Sequence, residues 1–145
     1  MTENEIAKLI VDAAYRIHTK LGPGLLESAY HGAFAYELTR KNLRFTSQQA
    51  IPLVYEGVQL GAAFHADIIV EDKIIVEIKS VEVLDRVFKM QLLTYLKIAD
   101  KRLGLLINFN VALIKLGITR VVNGLDDDYS SVPTQGRYAA PYSPD

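Results

Sequence analysis

Cysteine is missing from the chain altogether. That removes a disulfide framework and a thiolate zinc site, and it suits a reducing cytoplasmic setting. A surplus of charge of one sign is missing too, since 16 Lys and Arg against 17 Asp and Glu leave a net charge of −1. Such a balance does not suit a protein that coats nucleic acid non-specifically, although it leaves room for a local basic patch beside a site. No apolar run approaches the roughly 20 residues that span a bilayer, so no membrane partner is expected. The start, Met1-Thr2-Glu3-Asn4-Glu5, is polar and acidic where a signal peptide would be basic. What is present is a half-hydrophobic chain of 145 residues, enough for one globular domain with a core of its own.

The chain is organised around Phe64 to Lys79. Two β-branched apolar runs, Ala66–Val70 and Ile74–Ile78, flank a polar break at Glu71-Asp72-Lys73. That pattern predicts a tight antiparallel hairpin. Asp67, Glu77 and Lys79 are set into these apolar strands, and charged groups are rarely placed there without partners. Side chains alternate along a strand, so Glu77 and Lys79 share a face. If the loop is Glu71-Asp72-Lys73, Asp67 lies opposite Glu77 and the carboxylates converge; a two-residue loop would set them on opposite faces. Two carboxylates that close repel each other unless a cation sits between them. A hard divalent ion such as Mg²⁺ or Mn²⁺, held by one or two carboxylates with substrate phosphate and water, is the usual solution. The competing reading is a structural ion pair between Glu77 and Lys79 at a strand end.

The rest of the chain reads as follows. Apolar positions Ile6, Leu9, Ile10, Ala13, Ile17 and Leu21 predict a helix over Glu3–Leu21, ended by Gly22-Pro23-Gly24. A second helix is expected over Leu25–Lys41, with Leu26, Ala29, Tyr30, Ala33, Phe34 and Leu38 as core positions. Glu27 in its first turn either complements the helix dipole, or serves a capping box with Gly24 at the N-cap, or acts catalytically. His18 and His31 are placed at helix boundaries. Strands are expected over Leu43–Tyr55, interrupted at Pro52, and Val58–Val70, with a bulge at Gly61, followed by Lys73–Lys79. Val83–Asp100 predicts a helix whose Leu92 and Leu96 cover the sheet and whose Gln91 and Tyr95 are neighbours. Lys101-Arg102 suits its negative pole. Leu103–Phe109 predicts a buried strand and Gly117–Val122 an edge strand, joined by a connector over Val111–Leu116. Residues 1–122 thus form a single domain, and the polar segment 123–145 is expected to be a flexible tail. Its Asp126-Asp127-Asp128 run reads as solvated, not as a metal site.

The assembled pattern is Glu27 on a helix, then Asp67, then Glu77-x-Lys79, then Gln91-x-x-x-Tyr95. Here the chain resembles the GxxExxY family, as Gly24-Leu25-Leu26-Glu27-Ser28-Ala29-Tyr30, within the PD-(D/E)XK nuclease superfamily. The Gln91-x-x-x-Tyr95 motif is similar to that of the RecB-like branch, and the resemblance runs from about Ile6 to Val122. It implies an α/β, restriction-endonuclease-like α-β-β-β-α-β core with a central mixed sheet flanked by helices, plus an extra N-terminal helix. It also implies a metal site of Asp67 and Glu77, with Glu27 as a third carboxylate and Mg²⁺ or Mn²⁺ as cofactor. Lys79 would position or help deprotonate the attacking water, and Gln91 and Tyr95 would orient the site or touch the substrate. Ala66 stands where the superfamily's name has proline. His65 shares Asp67's face by alternation and is a candidate for phosphate contact or for a plain structural role. The implied function is a metal-dependent nuclease acting on DNA in repair, recombination or defence. The alternative is a catalytically silent module that binds nucleic acid or protein. So small and near-neutral a chain leaves little surface to grip a long duplex, so a partner or a homodimer is expected.

Overall fold

The structure, a computed structural model, describes residues 1–125. Helix α1 (Glu3–Leu21) and helix α2 (Glu27–Arg40) lead into strands β1 (Phe45–Tyr55), β2 (Val58–Val70) and β3 (Ile74–Lys79). Helix α3 (Arg86–Ala99), strand β4 (Leu103–Asn108), a 3-10 turn (Ile114–Leu116) and strand β5 (Ile118–Val122) complete the order. This is the expected mixed α/β arrangement with an additional N-terminal helix, consistent with a restriction-endonuclease-like fold. The expected flexible tail and its aspartate run fall almost wholly outside the described residues.

The strands form one sheet in the order β1-β2-β3-β4-β5. Only β3 and β4 run parallel, because only they are joined by a helix crossing over the sheet; the other neighbours are antiparallel. The hairpin register is the expected one. Ile68, Ile69 and Val70 pair with Val76, Ile75 and Ile74, across a loop of Glu71, Asp72 and Lys73. Glu71 and Asp72 both take positive φ, and Lys73 N donates to Val70 O at 3.0 Å. Two irregularities fall where proline and glycine forecast them: register shifts flank Pro52, and Gly61 has φ 88°.

Both faces of the sheet are covered, as the doubly apolar strands require. Ile6, Ile10, Ile17, Tyr30 and Phe34 of α1 and α2 pack on one face against Ile68, Val76, Leu105 and Ile107. Leu92, Leu93 and Leu96 of α3 pack on the other against Ile69, Ile75 and Leu106. The helix α3 lies so close that a Cβ on Gly104 would sit 3.0 Å from the Leu92 side chain. A larger residue at that position of β4 would require the Leu92 side chain to give by a few tenths of an ångström.

Several local expectations need correction. Leu26 is 77% exposed and Ala29 is exposed, because α2 begins only at Glu27 and its first turn projects past the sheet. The N-cap is Leu26, not Gly24, and no side chain caps this end, so Glu27 is not a capping-box residue. Lys101 and Arg102 follow the end of α3 as expected, with Lys101 N donating to Leu96 O at 2.9 Å after Asp100 in the left-handed conformation, and their side chains pair in addition with Asp72 and Glu3. The unforeseen capping box lies at α1. Thr2 Oγ1 accepts from Glu5 N at 3.2 Å, and Thr2 N donates to Glu5 Oε1 at 2.7 Å.

Candidate active site

The β2–β3 ladder stops at Ile68↔Val76. One step further, Asp67 faces Glu77, and the two side chains take over the hydrogen bonding. Asp67 N donates to Glu77 Oε2 at 3.0 Å, and Ile78 N donates to Asp67 Oδ2 at 3.0 Å. Each carboxylate thus caps a backbone N–H of the opposite strand, leaving neither N–H buried without a partner. The strand also rotates here: Ala66 packs in the α3 layer, and Ile68, two residues on, packs in the opposite layer. The two carboxylates sit in the cleft where β2 and β3 part.

Glu77 is only 6% exposed. Its pKa is pushed up from 4.5 to about 7, first by burial and then by the Asp67 charge. The N–H bond from Asp67 and the Lys79 ammonium pull the other way, and Glu27 adds a smaller upward push. Charge of one sign is therefore crowded at this point, and the cations present do not offset it.

Lys79 lies two residues along β3, half-buried, with its ammonium 4.5 Å from the centre of the Phe88 ring. A cation on a ring face gains roughly 0.5–2 kcal/mol, which fixes its position without tying it to a carboxylate. Tyr95 of α3 stacks flat on Phe64 of β2, with centroids 3.7 Å apart. Its phenol pKa is raised by burial and then by the Glu77 and Asp67 charges, so the ring reports the same crowded field. Gln91, one turn before Tyr95, is exposed.

Glu27 arrives from the other side of the sheet. Its helix start is held by the residues of its own motif. Gly24 has φ 100°, a conformation glycine holds without strain. Tyr30 is fully buried and stacks on Phe109 at 4.4 Å. Its hydroxyl donates to Gly22 O at 2.6 Å and accepts from Leu25 N at 3.2 Å. Ser80, next to Lys79, donates from Oγ to Leu25 O at 2.6 Å, which ties this loop to the end of β3. Glu27 itself is exposed in the first turn of α2. Among the described residues no group of three His, Cys, Asp or Glu side chains is arranged to hold a metal ion. The structure thus brings Asp67 and Glu77 together, with Lys79 two residues along β3, Tyr95 within reach of both charges, and Glu27, exposed on α2, acting on Glu77 through its charge.

His65 is exposed, and its neighbours Phe64 and Ala66 face the α3 layer. Because Ala66 and Ile68 pack in different layers, strict alternation does not by itself fix where His65 lies relative to Asp67. Four residues went unforeseen. His31 Nε2 lies 3.2 Å from Asp67 O. Phe88 supports Lys79, and Gln48 donates to Asp67 Oδ1 at 3.2 Å. Asn108 is buried at the end of β4; its amide donates to Val81 O at 3.0 Å and accepts from Val81 N at 3.1 Å. That clamp fixes the segment leading from Lys79 to α3. A polar Asn at the end of an all-apolar strand was the available signal for it.

Compared with curated proteins and with solved structures, the chain gives no significant match. Among the described residues no helix is long and apolar enough to cross a membrane. A family model described as the PD-(D/E)XK nuclease superfamily matches residues 4–121, which include every element of the sheet and the whole of the cleft. The chain belongs to the PD-(D/E)XK nuclease superfamily.

Proposed function

We propose that this protein is a Mg²⁺- or Mn²⁺-dependent nuclease of the GxxExxY type that hydrolyses phosphodiester bonds in DNA. The observation that carries the reading is the meeting of the Asp67 and Glu77 carboxylates where β2 and β3 part, with the Lys79 ammonium on the same strand. The donor set fits a hard divalent cation. It consists of carboxylate oxygens, and the crowding that raises the Glu77 pKa is the kind of imbalance a cation relieves. Asp67 and Glu77 would hold the ion, with Glu27 reaching in as a third carboxylate from its exposed place on α2. Bound there, a divalent ion would supply Lewis-acid polarisation of the phosphodiester and acidify water.

The chain's own residues supply the rest. Lys79 Nζ holds the attacking water by hydrogen bonding and offsets charge on the phosphate oxygens as the bond to the leaving oxygen breaks. Gln91 and Tyr95 line the α3 side, as in the RecB-like branch, and orient the substrate backbone. His65 contacts a flanking phosphate from its exposed position. We place the protein in the cytoplasm, acting in repair, recombination or defence. Its small size and near-neutral charge favour a homodimer as the form that grips a duplex.

The deciding experiment is cleavage of single- and double-stranded DNA and RNA with Mg²⁺ or Mn²⁺, run beside Glu77→Ala and Lys79→Ala. Cleavage lost in both variants supports the assignment; equal cleavage in all three preparations identifies a contaminant and refutes it. A second reading, a silent nuclease-fold module that binds nucleic acid or a protein partner, is favoured by one observation: among the described residues no three His, Cys, Asp or Glu side chains are arranged to hold a metal ion. No divalent binding by calorimetry at millimolar concentration would select that reading.

A further inference from the structure

Strand β1 carries an irregularity that its hydrophobic pattern does not require. Its ladder with β2 includes Ser47↔Ile68 and Gln49↔Ala66 and skips Gln48 and Asp67 between them. No proline or glycine lies at this point. Gln48 nevertheless has φ 51°, in the left-handed region that a non-glycine residue enters only when its surroundings hold it there. The compensation is visible. Gln48 Nε2 donates to Asp67 Oδ1 at 3.2 Å, while Ile78 N donates to Asp67 Oδ2 at 3.0 Å. One donor per oxygen, from the strands on either side of β2, sets the plane of this carboxylate. The neighbouring carboxamide, that of Gln49, is engaged locally, accepting from Thr46 Oγ1 at 2.6 Å.

We propose that Gln48 is a positioning residue: the break in β1 exists to aim its carboxamide at Asp67, and the orientation so imposed sets the affinity of the site for a divalent cation. The inference rests on the metal-site reading of Asp67 and Glu77. Partners that orient a ligating carboxylate are worth roughly tenfold to a hundredfold in metal affinity. Gln48→Gly removes the donor and relieves the backbone; Gln48→Met keeps the approximate length and removes the donor without adding charge.

The test uses the full chain with Mn²⁺ as the probe, titrated by electron paramagnetic resonance into wild type, Gln48→Gly, Gln48→Met and Asp67→Asn. Both Gln48 variants are expected to bind Mn²⁺ at least tenfold more weakly, while the thermal midpoint of metal-free Gln48→Gly stays at or above that of wild type. Without metal, the side-chain amide resonance that disappears in Gln48→Gly is expected to move in Asp67→Asn. Mn²⁺ affinity within twofold of wild type in both Gln48 variants, or an amide resonance indifferent to Asp67→Asn, overturns the inference and leaves the metal site standing. Absence in wild type of any Mn²⁺ binding that Asp67→Asn removes overturns the metal site itself, and this inference with it.

Discussion

Burial of Glu77 beside Asp67 makes the metal-free protein pH-sensitive in a direction that can be worked out. The Glu77 pKa rises from 4.5 in the unfolded chain to about 7 in the fold. Below pH 4.5 both states hold the proton and the group is neutral to stability. Between 4.5 and 7 the unfolded chain releases the proton while the fold retains it, so stability falls as pH rises. Above 7 the fold carries a buried anion at a constant penalty of about 3 kcal/mol. Glu77→Gln keeps an oxygen to accept from Asp67 N and removes the charge. Urea unfolding in EDTA at a series of pH values from 4 to 8.5 should therefore show the variant gaining on wild type by about 3 kcal/mol over that range. The carboxylates of Glu3, Glu5 and Glu71, whose pKa values are lowered, slope the opposite way in both proteins and cancel in the difference. A divalent ion should then reverse the order. At about a thousand times its dissociation constant it adds about 4.1 kcal/mol to wild type alone, which exceeds the penalty. Parallel pH profiles for the two proteins in EDTA would show that the cleft does not concentrate charge as argued, and the mechanism would lose its physical basis.

Other expectations follow from single contacts. Tyr30→Phe removes a hydroxyl bonded to Gly22 O and Leu25 N, and should cost about 1–2 kcal/mol in urea unfolding while loosening the loop that carries Glu27. Unchanged amide exchange across residues 22–27 would count against the clamp. Gly104→Ala places a Cβ 3.0 Å from Leu92 and should destabilise by about 1–3 kcal/mol; neutrality would mean that α3 can ride outward freely. Lys79→Met should abolish cleavage, by about a hundredfold or more, while leaving Mn²⁺ binding in place, because the ammonium acts beside the carboxylates and not as a ligand. Loss of Mn²⁺ binding in that variant would contradict the division of roles.

The sequence made the hairpin legible because a covered sheet leaves little choice of register. Ile68–Val70 and Ile74–Val76 are apolar on both faces, and the length of the polar loop between them sets the parity that puts position 67 opposite 77. Alternation is a valid guide only while the ladder is regular, and it lapses beside Asp67, where Phe64 and Ala66 pack in one layer and Ile68 in the other. The same lapse hid Gln48, whose side chain reaches Asp67 through a backbone conformation that no propensity would assign to glutamine in a strand. Tyr30 was legible as a core position and Asn108 as a polar end to an apolar strand, but what their polar groups bond was not, for a different reason. Their partners at Gly22, Leu25 and Val81 are backbone groups, which carry no sequence signature. The capping box at Thr2 and Glu5 was legible in spacing alone, because each side chain accepts from the backbone N–H of the other residue and the two residue types three positions apart mark the pattern. In this protein the groups that would carry chemistry announce themselves as charges in apolar strands. The groups that aim them are ordinary amides and a phenol, placed by breaks in the very regularity on which sequence reasoning depends.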